Sequence, residues 1–459
     1  IHFMQVGSTS NEGNTLKKVL IIAYYWPPAG GPGVQRWLKF SKYLPENGWA
    51  PTLLVPEGAA YPVLDASLTE EIPEGIDVVK VPIFEPYDLA IGLFQGKKGT
   101  ERLGSVSATT KRSLSQTLML WARGNLLIPD PRILWRRRAR KAGERIWKNA
   151  EAEGHPFQAL VTTGPPHSVH LIGLDLKKRL NMPWLADFRD LWREMDYLED
   201  FLPTERTKRR HAELEQAVVH HADQVTVPTP GVSGSLQLQN GALSHKFSLI
   251  HNGWDPSDIE KETAGAEKVQ PEKTSDTFHL GHFGSLFPTR NMPGLWQAIR
   301  QWNAQVPEGR KPIHLDLAGN INANVRASIT SALNDTEWTD HGYMSHAKAI
   351  EKMMAMDALL LAQNNNQTGQ WAIPGKAFEY LATGIPIAVV CPMPSDLGDL
   401  TAEWGLTAAH HDDVEGCTNM LHALFLPYTS NLQVALNFSR KTLTTKMASC
   451  LNEISDNLD

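Results

Sequence analysis

Two stretches of this sequence could handle phosphate and sugar groups. In His282-Phe283-Gly284-Ser285-Leu286-Phe287-Pro288-Thr289-Arg290-Asn291, the small Gly284 and Ser285 leave room for a bulky anion. Arg290 can offer its planar fork to phosphate oxygens, and its charge would also stabilise a departing nucleoside diphosphate. In the stretch from Ile373 to Ile387, Pro374 and Gly375 open a helix and Gly384-Ile385-Pro386 closes it. Glu379 stands one turn beyond Gly375, so its carboxylate can accept both hydroxyls of a ribose, while Lys376 can meet phosphate. Taken alone, Lys376 and Glu379 at i and i+3 are equally a surface pair.

Three weaker groups accompany them. The loop Pro27-Pro28-Ala29-Gly30-Gly31-Pro32-Gly33 precedes a helical pattern. Gly30, Gly31 and Gly33 allow close backbone approach to an anion at a helix N-terminus, and a tight turn with positive φ competes with that reading. The spacing is not GxGxxG and no Lys-Ser/Thr pair follows, which disfavours dinucleotide dehydrogenases and P-loop enzymes. Asp187, Arg189 and Asp190 in WLADFRDLW follow an apolar run, as does His167 in TTGPPHS. They are expected to project into a cleft, where the carboxylates and Arg189 would bind hydroxyls or position the reacting centre. A structural ion pair is the open alternative for Asp187, Arg189 and Asp190, and capping or packing for His167.

The elements that must carry these residues read as α/β. VLIIAYYW and PTLLVPE are continuous apolar runs suited to strands buried on both faces, and VQRWLKFSKYL between them has helical spacing. IDVVKVPI, FQALVTTG, MPWLADF and DQVTVPT continue the alternation, and after a polar stretch FHLGHFGS, IHLDLAGN, MDALLLAQ and IPIAVVC restart it. The expected division is a disordered extension over 1–16 and a Rossmann-like domain over 17–255. A linker over 256–276, a second Rossmann-like domain over 277–424 and a helical segment over 425–459 that returns to the first domain complete it. The irregular stretch from Ile91 to Asp130 reads as an insertion with helices.

With 459 residues the chain has room for two cores. Its 44 Lys and Arg against 50 Asp and Glu, net −6, argue against a general nucleic-acid binder. The three cysteines, Cys391, Cys417 and Cys450, have neither metal-type spacing nor an even count, which fits a reducing cytoplasm. The first residues lack the basic flank and apolar core of an export signal, and no stretch has the apolar length of a membrane span. Arg132, Arg136, Arg137, Arg138, Arg140 and Lys141 beside Leu134, Trp135 and Trp147 could rest on anionic lipid on the inner membrane face; a solvated helix face is the other reading.

VLIIAYYWPPAGGPGVQRWLKF, GNLLIPDPRILW, TTGPPHSVHLIGLDLKKR, WLADFRDLW, IHNGWD and GKAFEYLATGIPI, in this order, resemble the retaining glycosyltransferase family four with the B-type fold, especially its bacterial cell-surface glycan members. The resemblance covers nearly the whole chain after Leu16. It implies two Rossmann-like domains facing a central cleft, and transfer of a hexose from a nucleotide-diphosphate sugar to a glycan or lipid-linked glycan. It implies Glu379 on the ribose and Gly284, Ser285, Arg290 and Lys376 around the phosphates, with Gly375 also in the donor site and no cofactor beyond the nucleotide sugar; no metal is expected, since no DxD-like carboxylate pair stands at a strand end beside such a site. Where the family often has a second glutamate this chain has Trp371, so Gly369 and Gln370 are expected to supply the missing sugar contacts. A nucleotide-sugar epimerase of the same fold and a non-catalytic scaffold are the rival readings.

Overall fold

The computed structural model describes residues 16–85, 114–241, 244–258, 276–344, 346–428 and 431–456. The extension over 1–15, most of the linker and the first part of the insertion lie outside the described residues.

Seven parallel strands form the first sheet: β1 Lys17–Ala23, β2 Trp49–Glu57, β3 Asp77–Pro82, β4 Phe157–Gly164, β5 Trp184–Phe188, β6 Gln224–Val227 and β7 Phe247–Leu249, in the order β3-β2-β1-β4-β5-β6-β7. Six form the second: β8 Phe278–Phe283, β9 Ile313–Ala318, β10 Trp338–Asp340, β11 Ala358–Ala362, β12 Ile387–Val390 and β13 Ala408–Ala409, in the order β10-β9-β8-β11-β12-β13. Each sheet is covered on both faces by apolar clusters, so its central strands are almost wholly apolar. The sequence pattern did not show β7, β10 or β13. They are two- or three-residue edge strands, largely half-buried, and carry no apolar run.

In both sheets the strand order reverses beside the first strand, between β1 and β4 and between β8 and β11. Connections leave these neighbours in opposite directions, which opens a crevice at their C-terminal ends. Two crossings join the domains, and they run side by side. The Trp254 N–H donates to the Phe438 carbonyl (3.1 Å), and the Arg440 N–H donates to the Trp254 carbonyl (2.7 Å). The helix Arg440–Asp456 then buries Leu443, Met447, Leu451 and Ile454 against Val19, Ile21 and Trp37 of the first domain.

Candidate functional site

The second-domain crevice gathers the residues of the two strongest motifs. Gly284 and Ser285 leave the end of β8, and Arg290 sits in the 3-10 turn Pro288–Arg290 that follows. Its Nε donates to Asn364 Oδ1 (2.9 Å) and a terminal nitrogen donates to the Ser285 carbonyl (3.1 Å). Among the described residues no carboxylate lies within ion-pair distance of this guanidinium, although burial opposes its charge and lowers its pKa. Across the crevice the helix Gly375–Thr383 begins, with Gly375 at its first position. Lys376 Nζ lies 3.3 Å from Glu379 Oε2, and both side chains remain partly open to solvent.

The Phe283 N–H at the end of β8 donates to the Tyr380 hydroxyl on this helix (3.0 Å), and beside it lies His282. Its imidazole bonds to the Leu360 carbonyl (2.8 Å). Burial chiefly, with the nearby charges of Arg290 and Lys376, holds its pKa down at about 4 despite that bond. Arg290 and Lys376 thus both act electrostatically on this ring, and Glu379 stands one turn beyond Lys376. Such a set neutralises a diphosphate while accepting sugar hydroxyls. Gly369 and Gln370 occupy the short helix Gln367–Trp371 beside it; Gln370 is exposed and Gly369 is buried. Asn364, which orients Arg290, was not singled out in the sequence. The Gln-Asn-Asn-Asn run directly after an apolar strand is the available signal, since polar residues at that end of a parallel strand lie toward the crevice.

The first domain departs from expectation at Asp187. Its carboxylate does not project into the cleft but is wholly buried within the sheet. It accepts from Arg36 Nε (3.1 Å) and a terminal nitrogen (2.9 Å), from Trp37 Nε1 (2.7 Å), and from the hydroxyls of Thr163 (2.9 Å) and Thr226 (2.8 Å). Burial alone would raise its pKa; the Arg36 guanidinium and these donors outweigh that and bring it to about 2. The ion pair is thus structural, but with Arg36 instead of Arg189. Arg189 grips backbone carbonyls, those of Gly33, Gly164 and Pro165, and so fastens the glycine loop to the ends of β4 and β5. Gly31 has φ 87 and caps the helix Pro32–Tyr43, Gly30 packs on Val63, and Gly33 on Arg189. Asp190 alone of its trio is open to solvent, yet enough protein surrounds it that desolvation raises its pKa, with Arg189 opposing.

A cavity of about 370 Å³ opens in this domain, lined in part by Tyr25, Arg132, His167, Trp192, Phe201 and Lys208. His167 stacks on Trp192 (centroids 4.8 Å apart, planes at 7°), and its Nε2 meets the Leu191 carbonyl (3.2 Å). With Nε2 as donor, Nδ1 carries a lone pair; that atom is buried and has no hydrogen-bond partner among the described residues. Burial, with His170 adding to it, pushes the pKa well below 6.5, so the ring is neutral. Arg132 is paired with Glu85 (3.0 Å) and Arg193 with Glu215 (2.9 Å), so the wall charges are largely balanced.

The basic run belongs mostly to the helix Arg136–Ala152, whose apolar side is spent on the core. Trp135 and Trp147 are buried, and Arg136 and Arg140 pair with Asp175 and Glu144. This differs from a lipid-facing amphipathic helix, since only Leu134 of the three apolar partners is exposed. Among the described residues no helix is long and apolar enough to cross a membrane, and no three His, Cys, Asp or Glu are grouped to hold a metal ion.

No family model and no curated protein matches this sequence. Solved structures do share its shape. HepE of Anabaena, in complex with UDP and glucose, is 13% identical with a TM-score of 0.56, over 95% of this chain and 100% of that one. A glycosyltransferase from Rickettsia africae is 11% identical at 0.57, over 96% and 99%. The N-terminal domain of trehalose-6-phosphate phosphatase from Candida albicans is 12% identical at 0.64, over 97% and 99%. The class they define with the two sheets is the B-type glycosyltransferase fold, two Rossmann-like domains facing a cleft.

Proposed function

We propose that the chain is a retaining hexosyltransferase of glycosyltransferase family four. It would take its sugar from a nucleotide diphosphate and pass it to a glycan or lipid-linked glycan in cell-surface polysaccharide synthesis. The observation that carries this reading is that, among the described residues, no carboxylate lies within ion-pair distance of Arg290, which follows the first strand of the second domain at its switch point, where that strand's end is bonded to the helix of Lys376 and Glu379. Arg290 and Lys376 balance the diphosphate, and Glu379 accepts the ribose hydroxyls. The acceptor occupies the first-domain cavity, whose wall includes His167 and Trp192. Transfer breaks the bond between the sugar's anomeric carbon and the phosphate oxygen and forms one to the acceptor oxygen on the same face, while the acceptor proton passes to the departing phosphate. In this reading the nucleotide sugar is the sole co-substrate, no metal or further cofactor takes part, and the site of action is the cytoplasmic face of the membrane.

Thermal-shift screening of UDP, GDP, ADP and dTDP with their sugars tests it, since a ligand bound by the folded state alone raises its melting temperature. One nucleotide series should protect the protein, and Glu379→Ala should abolish that protection while the unliganded melting temperature stays within a few degrees. Protection unchanged in Glu379→Ala would remove the site assignment. A donor turned into its free epimer without acceptor would identify an epimerase instead.

A further inference from the structure

Trp371 stands where the resemblance leads one to expect a glutamate, and its surroundings show a mechanical role. Its ring, half-buried, packs against the apolar cluster of the first sheet. Its carbonyl accepts from the Thr229 hydroxyl (2.6 Å), and the next backbone donor of the first domain, the Gly231 N–H, reaches Asp396 Oδ2 (2.7 Å). Thr229 caps the helix Pro230–Asn240 of the first domain, and Asp396 opens the helix Asp396–Glu403 of the second. The approach is close: a Cβ placed on Gly231 would stand 2.6 Å from Trp371 Cδ1 and 2.8 Å from Asp396 Oδ2.

The contact continues toward the phosphate side. Trp371 ends the short helix Gln367–Trp371, in which Gly369 lies so tightly on the Asn364 carbonyl that any Cβ would collide with it. Asn366 caps this helix at the Gly369 N–H (2.9 Å), the Asn365 N–H donates to the Thr289 carbonyl (2.6 Å), and Asn364 Oδ1 receives Arg290 Nε. An unbroken series of packed groups therefore runs from Gly231 in one domain to the guanidinium in the other.

We infer that Trp371 and Asp396 form an interdomain clasp that sets Arg290, so that contact between the domains and grip on the diphosphate are one event. Trp371 is a positioning residue in this scheme, and the scheme rests on the assignment of Arg290 to the donor phosphates. A coupling of this kind is commonly worth about tenfold in affinity. Because the clasp acts through Arg290, its loss should be invisible once Arg290 is gone, which a double-mutant cycle reads directly.

The test measures the affinity of whichever of UDP, GDP, ADP and dTDP protects the wild type, in Gly231→Ala, Asp396→Ala, Arg290→Ala and the two combinations with Arg290→Ala. Gly231→Ala and Asp396→Ala, on opposite domains, should each weaken binding about tenfold alone and less than twofold in the Arg290→Ala background. Trp371→Phe, which keeps the carbonyl and an aromatic ring, should stay near wild type. Small-angle scattering of the free proteins should show Gly231→Ala expanded relative to wild type. Additive losses, or unaltered binding in Gly231→Ala, would overturn the clasp while leaving the nucleotide assignment standing. A wild type protected by none of the nucleotides would sink both.

Discussion

Arg290 and Asp187 are charged side chains close to the C-terminal ends of strands, and their surroundings differ: the carboxylate of Asp187 is satisfied within the fold, whereas Arg290 is bonded to neutral oxygens. Arg290 has amide and carbonyl oxygens as partners and, among the described residues, no carboxylate at ion-pair distance, which is why the proposed function gives it a phosphate. Asp187 has its charge met by Arg36 and its remaining lone pairs by Trp37, Thr163 and Thr226. Removing it strands a buried guanidinium, so Asp187→Ala should cost about 3–5 kcal/mol of stability, measured as a fall in denaturation midpoint of the first domain. A stable Asp187→Ala protein that had lost only transfer activity would return this residue to the chemistry. The motif WLADFRDLW could not reveal the difference, because the partner Arg36 lies 151 residues away in the chain.

Among the elements, the helix Gly375–Thr383 was legible from its own punctuation. Pro374 precedes it, and Gly384 closes it with φ 71. The short helix Gln367–Trp371 was not, since five residues are too few for a period to show. There Gly369, expected as a sugar contact, has a packing reason for being glycine. Gly369→Ala should force Asn364 aside and lower nucleotide affinity together with stability. Gln370→Ala, on an exposed side chain, should leave stability within about 0.5 kcal/mol. Paired melting and nucleotide titrations of the two variants separate these outcomes. The helix Arg136–Ala152 was read correctly as amphipathic, but amphipathicity does not say what covers the apolar side, and here the sheet does.

The assembled molecule buries several neutral imidazoles, and this shapes its acid response. Burial chiefly pushes His167 well below 6.5, His170 to about 3, and His211 and His282 to about 4. In the unfolded chain each takes up a proton near 6.5, so stability is full above that value and falls as the pH drops below it. Each group contributes up to about 2 kcal/mol of loss at pH 5. The carboxylate of Asp187 acts later: its stabilisation is present above about pH 4 and is lost toward pH 2. The melting temperature should therefore decline steadily from pH 7 to pH 5, and a profile flat over that range would show that these rings are protonated in the fold.

What amino-acid order alone determines in this protein follows from the reach of each force. Strand cores, the two-domain division and the Glu379 helix depend on apolar runs and on glycine and proline within a dozen residues, and these could be read along the chain. The burial of Asp187, the orientation of Arg290 by Asn364 and the docking of Trp371 on Gly231 depend on residues far apart in sequence, the first two meeting when each sheet has formed and the third when the two domains come together. Residue type announces a capacity to ionise or to hydrogen-bond. Whether that capacity is spent inside the protein or kept for a ligand is settled by which distant partner the fold delivers.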